Sequence, residues 1–104
     1  MSSQRAPFDP LAIIRTLNGH GVRYVVIGGI AAGMQGAMWA TFDLDVVYER
    51  SPANHAALAS ALADLQATLV DIPANVTVTV DRRALDAGDV WTLETRYGRL
   101  DLMG

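Results

Sequence analysis

The apolar positions fall into short blocks whose period changes along the chain. Asp9 followed by Pro10 reads as an N-cap with proline in the first helical turn, and Asn18-Gly19 as a stop. A helix over roughly 10 to 18 is expected, with Leu11, Ile14 and Leu17 as its buried stripe. Val22 to Ile27 is a continuous apolar run, too short for a helix and closed by Gly28-Gly29; it predicts a strand central in a sheet. The glycines turn the chain into a short helix near 30 to 38, with Ile30, Met34 and Met38 on one line and Gly33 and Gly36 weakening it.

Phe42 to Tyr48 reads as the next strand. Ser51-Pro52 then opens the longest helix, with Leu58, Leu62, Leu65 and Leu69 as a stripe against the sheet; a leucine-lined dimer seam is the less common use of such a pattern. Val76 to Val80 alternates β-branched residues and reads as a strand or as a connection. Val90 to Thr95 and Arg99 to Met103 flank Arg96-Tyr97-Gly98, where glycine supplies a left-handed turn, so these segments predict a hairpin. The expected fold is α/β (α+β): a mixed central sheet with helices packed on one face.

Composition changes this picture little. At 104 residues with 51% apolar content, one domain is expected, its core modest for its surface. The chain ends directly after its last predicted strand, so further helix beyond Gly104 is expected to cover a fresh edge. A net charge of −3 argues against a broad nucleic-acid footprint. All eight cationic side chains are arginine, planar forks suited to carboxylate or phosphate, but GC-rich coding explains the bias more cheaply than phosphate recognition does. Absence of cysteine excludes disulfides, thiolate metal sites and thiol nucleophiles. No signal-peptide core or bilayer-length apolar run is present, which makes a cytoplasmic location the default expectation and gives no membrane partner.

The candidate chemistry lies in Asp43-Leu44-Asp45. On a strand, residues two apart share a face, so both carboxylates project together while Leu44 and Val46 enter the core. Two adjacent anions repel unless a cation lies between them, and hard divalent ions take one or two such carboxylates together with substrate phosphates. Asp101, between Leu100 and Leu102, faces away from the core with Arg99 and Met103 and is a candidate third carboxylate. The alternative is that Asp43 and Asp45 are only the solvated face of a half-exposed strand. His20 and His55 have no partners at ligand or triad spacing and read as surface residues.

Ile27-Gly28-Gly29, thirteen residues, then Asp43-Leu44-Asp45-Val46 resembles the signature of the polymerase-β-type nucleotidyltransferase superfamily. The wider stretches Tyr24 to Ala32 and Thr41 to Asp45, followed by Thr95-Arg96-Tyr97-Gly98-Arg99-Leu100-Asp101-Leu102, are similar to its bacterial branch of minimal nucleotidyltransferases and AbiEii-like toxins. The resemblance implies a single nucleotidyltransferase-like core over residues 1–104. It implies that Gly28 and Gly29 bring backbone amides to a nucleoside triphosphate, with Thr41 a lesser contact. Asp43, Asp45 and Asp101 would be catalytic and would hold Mg²⁺ or Mn²⁺. The reaction would be transfer of a nucleoside monophosphate to a hydroxyl on an RNA end or a protein, in a toxin–antitoxin setting with an antitoxin or homodimer partner. The chain departs from the pattern at Trp39, where relatives often carry arginine. Arg23, Arg50, Arg96 and Arg99 are the candidates to replace it; Met38-Trp39 could make an apolar lip for a base, although a tryptophan near a strand start is more often ordinary packing. A non-catalytic binding module of the same fold and an interaction domain without nucleotide are the alternatives.

Overall fold

The computed structural model describes residues 8–28, 43–70 and 80–104. Two helices begin where their caps predict. In α1, Pro10–Gly19, the Asp9 carboxylate accepts from the Ala12 amide at 3.2 Å; in α2, Pro52–Asp64, the Ser51 hydroxyl accepts from the Asn54 amide at 3.2 Å. A third, α3, Arg82–Ala87, starts at an Asp81 cap that the hydropathy pattern did not reveal.

Five strands form one sheet: β1, Tyr24–Gly28; β2, Asp43–Tyr48; β3, Thr68–Leu69; β4, Val90–Thr95; and β5, Gly98–Met103. Their order is β1-β2-β5-β4-β3, with β2 and β5 parallel and the other neighbours antiparallel. The mixed sheet and the packing of α1, α2 and α3 on one of its faces agree with the expected fold class. Gly98, at φ +107°, makes the β4–β5 turn as predicted, and a Cβ there would meet Phe8 at 2.8 Å.

The core follows the strand period. Leu44, Val46 and Tyr48 of β2, Leu100 and Leu102 of β5 and Leu93 of β4 point inward against Ile13, Leu17, Leu58, Leu62, Leu65 and Leu85. Several expectations are corrected. Ile13 and Leu17 form the buried line of α1, while Leu11 is exposed: positions 11 and 17 lie about 240° apart around a helix, whereas i and i+4 share a face. β1 is not central but an edge strand among the described residues, and its Val25 and Ile27 are exposed. Leu69 belongs to β3, not to the long helix, because Gln66 takes a left-handed backbone (φ +55°) just after Leu65. β5 is no edge, since it lies between β2 and β4. The expected helix at 30 to 38 and most of the 76–80 stretch lie outside the described residues; Val80 is buried and not in a strand. Among the described residues no helix is long and apolar enough to cross a membrane.

One polar side chain ties the layers together. Asn54, buried in the first turn of α2, accepts from the Arg23 amide (2.7 Å) and donates to the Arg23 and Glu49 carbonyls (3.0 and 2.7 Å). It thereby fixes the start of β1 and the end of β2 to the helix. Asn54→Ala removes the side-chain partner of the Arg23 amide and the Glu49 carbonyl, while the Arg23 carbonyl keeps the Glu49 amide at 3.0 Å, and is expected to destabilise the fold by about 3 kcal/mol. Urea unfolding, with an unchanged m-value, checks this.

Candidate metal centre

The face of the sheet opposite the helices carries the candidate chemistry. Because β2 and β5 pair in parallel without a bulge, Asp45 stands opposite Asp101, and Asp43 stands opposite Arg99. The leucines between them are fully buried, so the half-buried carboxylates lie on the face opposite the helices. Asp43, Asp45 and Asp101 each offer an oxygen within 4.8 Å of the others. Opposite ligands of an octahedral Mg²⁺ lie about 4.2 Å apart, so little closure is needed for these oxygens to share an ion. The structure therefore brings together the three acids that the sequence singled out.

The electrostatics is that of a site short of positive charge. Oδ1 of Asp101 is buried and has no hydrogen-bond partner among the described residues. Its carboxyl is pushed above the usual carboxylate value, first by burial, then by the neighbouring negative charges of Asp45 and Asp43; Arg99 pulls it the other way. A buried acceptor oxygen beside two further carboxylates is the donor set that a hard divalent cation satisfies.

Gly28 lies across from Asp45 on the other side of β2, where an irregularity between Val26 and Gly28 leaves Ile27 as the extra residue. The row through the site is thus Gly28, Asp45, Asp101 and Thr92. The next row along the strands is apolar, Val25, Val47, Met103 and Val90, an arrangement invisible before the register was known. Gly29, Met38, Trp39 and Thr41 lie outside the described residues.

Other candidates acquire structural uses. Arg23 pairs with Glu49 at 3.0 Å, and Arg50 donates to the Gly88 and Asp86 carbonyls, so both are engaged away from the acids. Arg96 and Arg99 form no ion pair with a described carboxylate. His20 bonds Asp64 at 3.2 Å. His55, expected at the surface, is instead buried: it packs edge-on against Tyr48 and bonds Asp86 through Nδ1. Its place in the first turn of α2 gave no hint of this, because the facing residues come from β2 and α3.

Compared with family models, with curated proteins and with solved structures, the chain matches none.

Because the native state raises the proton affinity of Asp101, its protonated form is favoured by folding. Its contribution to stability is present below the unfolded carboxylate value and is lost as pH rises through the higher folded value. In chelator at neutral pH, Asp101→Asn is therefore expected to raise the melting temperature by about 3 °C and to flatten this acid-side dependence. A series of thermal melts across pH on both proteins measures it.

Proposed function

We propose that the chain is a Mg²⁺-dependent nucleotidyltransferase of the bacterial minimal or AbiEii-like kind, moving a nucleoside monophosphate from a triphosphate to an acceptor hydroxyl. The observation that carries this reading is the in-register meeting of Asp45 and Asp101, with Asp43 diagonal to them and a buried Asp101 oxygen that lacks a partner among the described residues. It is supported by the resemblance of the glycine pair, the acidic pair and the later Gly98-Arg99-Leu100-Asp101 segment to that superfamily.

Asp43 and Asp45 are the residues that would hold divalent ions, with Asp101 completing the second position. When bound, such ions neutralise phosphate charge and lower the proton affinity of an adjacent hydroxyl. The resemblance puts the triphosphate on the β1 side of Asp45, where Gly28 is its cross-strand partner. Asp101, on the other side, orients the acceptor hydroxyl and takes its proton. The acceptor oxygen forms a bond to the α-phosphorus; the bond from that phosphorus to the bridging oxygen breaks, and pyrophosphate leaves with the electron pair. Arg99, two residues from Asp101 on the same face, opposes the accumulation of negative charge.

Trp39 in place of the arginine common in the resembled family supports a second reading, a non-catalytic nucleotide-binding partner in a toxin–antitoxin pair. Binding and turnover separate the two. Mg²⁺ with a saturating triphosphate, at about a hundredfold over Kd, is expected to raise the melting temperature by about 10 °C. The Asp43→Asn/Asp45→Asn variant should abolish that shift and lower transfer of radiolabelled nucleotide at least about 100-fold. Binding without transfer would select the second reading; a folded wild type with no metal-dependent shift would exclude both.

A further inference from the structure

β1 is an edge strand among the described residues, and it lacks what edges usually carry against association. From Tyr24 to Gly28 it has no charged residue and no proline. Val25, on the open face, is 62% exposed, and Val26 and Ile27 are exposed as well. The Glu49 amide bonds the Arg23 carbonyl at 3.0 Å, which turns the Arg23 backbone toward the β2 side. Antiparallel alternation then turns the amide and carbonyl of Val25 toward β2 and those of Tyr24 and Val26 outward. Outward backbone groups on an apolar strand are a template for another strand.

The irregularity after Val26 confines the regular ladder to Tyr24, Val25 and Val26, and this decides the partner. The edge is complemented by an antiparallel strand whose own outward groups flank a single apolar residue. A second copy of β1 is such a strand. With a two-fold axis at Val25, Tyr24 of each copy faces Val26 of the other as a hydrogen-bonded pair. The two Val25 side chains then meet in the closer, non-hydrogen-bonded pair. We infer that the chain associates with a second copy of itself through β1, the five-stranded sheets of the two copies joining into one.

The side chains agree with this pairing on both faces. A two-fold normal to the sheet keeps the two open faces on the same side. Val25 ends the apolar row Val25, Val47, Met103 and Val90, so the row of one copy runs into that of the other with no polar position between them. On the helix face, Tyr24 of one copy stands opposite Val26 of the other, an aromatic and a β-branched side chain. Arg23, at the start of the edge, has its charge matched by Glu49 at 3.0 Å and sets no cation against the partner. So short a ladder buries less than the about 800 Å² a side of a standard interface, which puts the dimer in the weak class, with Kd about 10–100 µM. Each copy carries a net charge of −3, so added salt strengthens the association. The joined sheet presents the acidic groups of both copies on one face.

Sedimentation equilibrium from about 1 µM to 1 mM protein covers that range. The proteins are wild type, Val25→Glu, Val25→Lys, Val26→Pro and Val90→Glu, with circular dichroism melts to show that each is folded. Wild type is expected to pass from one chain mass to two. Val26→Pro removes an outward N–H that β2 does not use and should weaken association at least about tenfold. Val25→Glu and Val25→Lys should each stay monomeric, because the two-fold sets like charges opposite one another, and their equimolar mixture should recover the dimer. Val90→Glu, in the same apolar row but three strands from the edge, should keep a Kd within about threefold of wild type. A wild type that is monomeric throughout overturns the inference, as does undiminished association of folded Val26→Pro. So does a mixture of Val25→Glu and Val25→Lys that stays monomeric. Loss of association in Val90→Glu as complete as in Val25→Glu also overturns it, in favour of stacking between open faces.

Discussion

The parallel pairing of β2 with β5 is the constraint on which the site depends. Strand alternation alone puts Asp43 and Asp45 on one face, but the register of the two strands places Asp101 opposite Asp45. A slip of one residue would send Asp101 into the core and bring a buried leucine out. Leu44, Val46, Leu100 and Leu102, all essentially inaccessible, make that slip prohibitive. The core face therefore holds the acidic face in place, and the hydrophobic effect works against the repulsion of the three carboxylates.

That opposition leaves a local electrostatic deficit at Asp101. Burial and like charge both raise the proton affinity of Asp101, and its Oδ1 has no partner among the described residues. In the proposed reading, a cation held by the three acids would offset that deficit. The capped helices and the Asn54 hub supply the rigidity it needs: α2 is anchored to both β1 and β2 at the end of the sheet away from Asp43.

Local signals were well legible in the sequence. Asp9-Pro10 and Ser51-Pro52 marked two helix starts through side-chain caps, and Gly98 marked the hairpin through its backbone. The two-residue period placed Asp101 with Arg99 and Met103 away from the core. Relations between distant segments were not legible. Nothing in a continuous apolar run distinguishes an edge strand with an exposed face from a central one, so β1 was misplaced. Leu69 continued a helical stripe numerically, but the left-handed Gln66 had already ended the helix. His55 and Asn54 are buried by partners from elsewhere in the chain, and the cross-strand rows, both acidic and apolar, exist only through register. The nucleotidyltransferase reading thus rests on residues that the sequence named and on a geometry that only the fold supplies.

The central claim, that Asp43, Asp45 and Asp101 jointly hold a divalent ion, is tested most directly by electron paramagnetic resonance of Mn²⁺ added to the protein, with Asp43→Asn/Asp45→Asn and Asp101→Asn alongside. The account predicts that wild type removes the free Mn²⁺ signal stoichiometrically, that the double variant removes none, and that Asp101→Asn removes less than wild type. Free Mn²⁺ signal undiminished by folded wild type, or diminished equally by all three proteins, would contradict it.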